Sequence, residues 1–143
     1  MNIVYLNGKY LPEDQALVSV FDRGFMFGDG IYEVIPVYWR QPFRWAQHLE
    51  RLTRNLTAIR MHDPLSAAQW AELLAHLIRF NPAPGDQSVY VQITRGPARR
   101  DHAIPQETTK FVFSCICFNP TYRSFYIIDI CRKYRFATHS IVN

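Results

Sequence analysis

Cysteine, lysine and long apolar runs are scarce in this sequence, and each shortage removes a class of protein. Three cysteines, with Cys115 and Cys117 two apart, match neither a zinc-ligand spacing nor a disulfide framework, so buried free thiols are the expectation. No apolar run approaches the length of a membrane span, and the opening "MNIVYLNGKY" lacks a basic segment leading into a long apolar one. A cytoplasmic chain with no membrane association is therefore expected. A basic stripe is missing too. The formal charge is +4, but residues 1–120 carry twelve basic and eleven acidic side chains, leaving most of the excess to Arg123, Arg132, Lys133 and Arg135 in the last stretch. A nearly neutral body gives nucleic-acid phosphates nothing to follow. With 143 residues, 48% of them hydrophobic and 20% charged, the chain is large enough to bury a core.

Glycine is also sparse, six in all, yet three of the six crowd into "FDRGFMFGDGIYEV", residues 21–34. Glycines ahead of a strand let the backbone take positive φ or pass close to another group. The plain reading is a tight connection capped by Asp22 and Asp29. The run after it, Ile31 to Trp39, has the Ile, Val and Tyr content of a strand.

The periodicity divides the rest. "IVYLNGKYLP" predicts a hairpin about its Asn-Gly pair, and "ALVSVFD" a further short strand. "RQPF" predicts a turn returning through Phe43 and Arg44. Leu49, Leu52, Leu56 and Ile59 recur at helical spacing and predict a helix from about Ala46 to Arg60. Ser66 with Gln69 forms a capping-box pattern ahead of Trp70, Leu73, Leu74, Leu77 and Ile78, a helix ending before Pro82. "SVYVQITR" and "KFVFSCICF" read as two more strands. Strands, two helices, then strands imply an α+β fold, a largely antiparallel sheet with both helices on one face.

Three features admit a functional reading beside a structural one. Arg51 lies off the leucine stripe of the first helix and is either a solvated side chain or an anion contact. "TRGPARRDHAIP", residues 94–105, carries Arg95, Arg99, Arg100 and His102 in a loop; guanidinium forks there suit a carboxylate or phosphate, and an ordinary exposed loop would look alike. Tyr32 opens the long strand, where a phenol either donates to a ligand oxygen or fills the core.

Taken together, "FDRGFMFGDGIYEV", "HLERL" and "ITRG" followed by Arg-x-His resemble the class IV aminotransferases, pyridoxal-phosphate enzymes of fold type IV. The resemblance runs from the N-terminus to about Pro120. "YEV" with "RRDH" points to the D-amino-acid aminotransferase branch; branched-chain aminotransferases and aminodeoxychorismate lyases share the Gly-Asp-Gly turn but usually continue Phe-Glu. The resemblance implies the N-terminal domain of such an enzyme over residues 1–120. Arg51 would hold the cofactor phosphate. Tyr32, Arg100 and His102 would trap the substrate carboxylate, with the Arg and His supplied by the neighbouring subunit of a homodimer. The implied substrates are a D-amino acid and a 2-oxo acid.

The same resemblance exposes what is not there. The family's cofactor-bearing lysine belongs in a motif of roughly Arg-Cys-Asp-Ile-Lys-Ser, by gap length a few residues past position 143. The lysines here are Lys9, Lys110 and Lys133 only, and none stands in that context. The chain is thus expected to stop short of its catalytic lysine, and a non-catalytic remnant or interaction domain is the alternative. From Thr121 onward the resemblance ends abruptly, making 121–143 a divergent tail with the pattern of an out-of-frame translation. The nucleotide sequence, read in another frame after about codon 121, is expected to encode an Ile-Lys-Ser-like motif and a second domain. Sequencing that finds the tail in frame, with no such reading downstream, would end that account.

Overall fold

The computed structural model describes residues 2–105 and, as backbone, the strand over 112–118. Ile3–Leu6 (β1) and Lys9–Pro12 (β2) pair about the Asn-Gly turn. Asn7 and Gly8 both take positive φ there, 49° and 92°, which matches the twist of the flanking strands. A one-turn helix, Arg23–Phe27 (α1), leads into the long strand Gly30–Tyr38 (β3), which folds back through the short Gln41–Pro42 (β4). The helices Trp45–Ala58 (α2) and Ala67–Phe80 (α3) follow, then Gln87–Thr94 (β5) and Val112–Phe118 (β6). All six strands form one antiparallel sheet in the order β2-β1-β6-β5-β3-β4.

Both helices lie on one face of that sheet. Leu52 and Leu56 of α2 and Trp70, Leu73, Leu74, Leu77 and Ile78 of α3 meet Ile35, Val37, Val89, Val91 and Ile93 from the strands. Burying each of these apolar side chains is worth roughly 1.5–3 kcal/mol, which makes this layer the main source of cohesion. The α3 stripe is the one the periodicity predicts. Its capping box forms, with the Ser66 hydroxyl accepting from the Gln69 amide and the Gln69 side chain accepting from the Ser66 amide. At the other end Asn81 binds both the N–H and the carbonyl of Ile3, at 2.8 Å each, and so ties the helix to β1.

Two local expectations need correction. "ALVSVFD" is not a strand: Leu17 is 83% exposed and Val20 67%, and the stretch touches the ladder only through an isolated bridge between Asp22 and Pro97. β-branched residues favour extended backbone, but a strand also needs a neighbour to pair with, and beyond that bridge this stretch has none among the described strands. The turn predicted at "RQPF" falls earlier, at Trp39 and Arg40, both at positive φ, while Gln41 and Pro42 already pair with β3. Proline fits there because β4 is an edge strand.

The three glycines of the opening motif do different jobs. Gly28 ends α1 in the left-handed conformation, φ 67°. Gly24 and Gly30 are needed for close approach. A Cβ on Gly30 would stand 2.5 Å from the Ile93 carbonyl oxygen and 3.0 Å from Thr94 Cα. Both are backbone atoms of the paired strand. Gly30→Ala should therefore push β3 from β5 and destabilise the chain by about 1–3 kcal/mol. Urea unfolding measures this, and an unchanged midpoint would show that the strands separate there at no cost.

Candidate active site

The motif before β3 is held by a partly buried carboxylate, Asp29, facing two buried arginines. Asp29 accepts from Arg23 Nε at 2.7 Å and from Arg95 Nε at 3.0 and 2.9 Å. The Arg23 and Arg95 side chains are only 5% and 3% exposed. Further donors go to backbone: Arg95 Nη2 to the Ile59 carbonyl, Arg23 Nη1 to the carbonyls of Asp101 and Ala103. Asp22, not Asp29, caps α1, accepting from the Gly24 amide at 2.7 Å and the Thr94 hydroxyl at 2.9 Å. Burial opposes ionisation of Asp29, but the hydrogen bonds and charges of Arg95 and Arg23 outweigh it and hold the carboxyl below its ordinary 3.8.

This cluster positions the loop 95–105. Arg23 grips the carbonyls on either side of His102, whose ring lies 5.2 Å from that of Phe27. Arg100 and His102 are exposed, whereas Arg95, grouped with them in the sequence reading, is fully committed inside. The two loop residues are thus offered outward from a rigid base.

A second carboxylate organises the opposite end of the motif. Glu33, 2% exposed, sits on the helix-facing side of β3 between Ile31 and Ile35. Arg51 on α2 binds it with both arms of a fork, Nε to Oε1 at 2.6 Å and Nη2 to Oε2 at 2.5 Å. His48, one helical turn earlier, meets Oε2 through Nδ1 at 2.8 Å. The Glu33 hydrogen bond raises the pKa of Arg51, with burial opposing and smaller contributions from the charges of Glu33 and Tyr32. The Arg51 side chain remains 52% exposed on an open cleft of about 330 Å³ lined by Arg44, Gln47, His48, Glu50, Arg51 and Arg54. Three guanidiniums against two carboxylates, Glu50 on the cleft and Glu33 behind Arg51, leave a net positive donor set that fits a phosphate group.

Tyr32 points to the other side of β3, 42% exposed and stacked on Tyr90 at 5.8 Å. Among the described residues no hydrogen bond or ion pair joins Arg100 or His102 to Arg51. Lys110, Lys133 and the segment 121–143 lie outside the described residues, and Lys9 is on β2, at the far edge of the sheet from β3 and β4. The sequence reading passed over Glu33, His48, Arg23 and the pairing role of Asp29. For Glu33 a signal existed: a carboxylate interrupting the inward apolar alternation of Ile31, Ile35 and Val37.

This fold is that of the N-terminal part of a fold IV aminotransferase. The branched-chain aminotransferase of Thermoproteus uzoniensis superposes with a TM-score of 0.72 at 21% identity, over 82% of this chain and 40% of that one. The amino-transferase class IV family model matches residues 30–136, and the chain belongs to that family. The match extends past Pro120, into the segment the sequence reading sets apart. Curated relatives include the D-alanine aminotransferases of Staphylococcus haemolyticus, 34% identical over 110 residues, and of Staphylococcus aureus, 38% over 105. These alignments cover 77% and 73% of this chain but only 39% and 37% of the relatives, so the chain spans about two fifths of their length.

Asp29→Asn leaves two buried guanidiniums without their carboxylate and should cost about 3–5 kcal/mol near neutral pH. Because the folded pKa of Asp29 lies below 3.8, its contribution is complete above that value and is lost as pH falls through the lower folded one. The stability gap between wild type and variant, from denaturant unfolding, should hold steady down to about pH 5 and narrow below about pH 4. A gap that stays level into the acid range would mean that Asp29 is not the ionised partner.

Proposed function

We propose that this chain is the cofactor-phosphate and substrate-carboxylate part of a pyridoxal-phosphate aminotransferase acting on D-amino acids. The observation that carries the reading is Arg51, fixed by a fork to a buried carboxylate yet half exposed on a cleft rich in arginine. Arg51 would hold the phosphate, with Arg44 and Arg54 adding attraction from the same helix. When bound, pyridoxal phosphate supplies the electron sink for transamination.

The chain's own contribution is recognition. Tyr32 at the mouth of β3 and the exposed Arg100 and His102 suit an α-carboxylate, the first two as donors and the imidazole as donor or charge. Holding that carboxylate on one side decides which Cα–H faces the base, and hence which enantiomer reacts. No hydrogen bond or ion pair among the described residues joins Arg100 or His102 to Arg51, and a symmetric dimer, in which the loop of one copy completes the other's site, is the arrangement that the family resemblance implies. The D-amino-acid preference draws on the staphylococcal D-alanine aminotransferases at 34% and 38% identity. None of the three lysines is assigned the covalent role, Lys9 least of all, given its place on β2.

The test is to assay the chain with D-alanine, 2-oxoglutarate and pyridoxal phosphate, alone and co-expressed with the C-terminal part of a D-alanine aminotransferase. Alone it should give no turnover, since losing a covalent catalyst removes many orders of magnitude. Complementation should give turnover that Arg51→Ala abolishes and Arg100→Ala weakens chiefly in KM. Turnover by the chain alone, sensitive to Arg51→Ala, would mean that one of its own lysines does the chemistry.

A further inference from the structure

We propose that Glu33 is a positioning residue, whose buried carboxylate locks Arg51 in the one orientation that presents its Nη1 edge to a phosphate. The inference rests on the reading of Arg51 as the phosphate contact and adds how that contact is built. The position itself poses the question. Inward-facing neighbours on β3 are Ile31, Ile35 and Val37, and an apolar side chain at 33 would pack into the same layer. A carboxylate only 2% exposed is costly there, and a buried ion pair seldom stabilises a fold more than a hydrophobic replacement would. Cohesion alone therefore does not account for a carboxylate at this position.

The geometry supplies one. Arginine carries five N–H donors on a planar group at the end of a long, mobile side chain. Glu33 engages Nε and Nη2, and His48 Nδ1 lies 3.4 Å from Nη2 while bonding the same carboxylate. Nη1 has no hydrogen-bond partner among the described residues. Three of the five donors thus sit on the Glu33 side, and the plane of the guanidinium is fixed. The Arg51 side chain is half exposed and lines the cleft together with Arg44 and Arg54. Fixing it in advance removes rotamer entropy that phosphate binding would otherwise have to supply. His48 holds the second carboxylate oxygen, so the anchor is itself braced from the same face of α2.

Charge and positioning predict opposite signs, which makes the proposal testable. Glu33 is negative, so on charge alone Glu33→Gln should tighten the binding of an anion. If Glu33 positions Arg51, the same change should weaken it. The experiment titrates the full chain with pyridoxal phosphate and, separately, inorganic phosphate, reading affinity by calorimetry and the bound state by phosphorus NMR at fixed ionic strength. Arg51→Ala should nearly abolish binding. Glu33→Gln should weaken it about tenfold, and should cause no further loss in the Arg51→Ala background. Thermal unfolding checks each variant. Should Glu33→Gln fail to fold, Glu33→Asp takes its place: it keeps the charge, shortens the reach by one methylene, and is likewise expected to weaken binding. Unchanged or tighter binding in the Glu33 variants, with Arg51→Ala still defective, overturns the positioning role alone. Unchanged binding in Arg51→Ala overturns the phosphate reading and the positioning role with it.

Discussion

Asp29 stands between two arginines that are themselves almost wholly buried, and the arrangement of the motif around it follows from that contact. A buried guanidinium cannot shed its charge, so each must find a carboxylate or a set of carbonyls. Arg23 comes from the helix before β3 and Arg95 from the end of β5, so one carboxylate closes the gap between the two strands at their shared end. Further donors bind carbonyls at Ile59, Asp101 and Ala103. A single ionised group thereby joins the helix layer, the sheet and the loop bearing Arg100 and His102. The glycines are subordinate to it: Gly24 and Gly30 allow the backbones to come close enough for the pair to form.

Glu33 repeats the device four residues along. Again one carboxylate meets two basic groups, but here one of them, Arg51, is half exposed. The difference in burial separates their roles. Around Asp29 both arginine side chains are buried and tied to carboxylate and backbone carbonyls, and the result is rigidity. Around Glu33 the Arg51 side chain remains half exposed beside the cleft. The strand between them, running from Gly30, carries Tyr32 on the opposite side by simple alternation. Short sequence spacing thus distributes three kinds of contact to three directions.

Much of this was legible beforehand. The hairpin at Asn7 and Gly8, the apolar stripes of α2 and α3, the Ser66 cap and the antiparallel strands follow from local patterns that tertiary contacts merely accept. The motif resemblance reached the family, which the match over residues 30–136 bears out. Where local preference lacked a partner the reading failed, as at "ALVSVFD", whose Val18 and Val20 are exposed and which pairs only through one bridge at Asp22.

Sequence by itself determined the two long helices, the first hairpin and the long strands, because hydrophobic period and turn chemistry act over a few residues. It also flagged Arg51 and the Arg100 and His102 loop as candidates. Only the tertiary structure decided how deeply each arginine is buried and what it reaches. Arg23, Arg51, Arg95 and Arg100 are chemically the same group, and nothing within a few residues distinguishes a buried strut from an exposed side chain. That distinction lies in which carboxylate each one reaches. Asp29 and Glu33 meet their arginines across 6 to 66 positions of chain, a separation that only the packing of α2 and β5 against β3 closes.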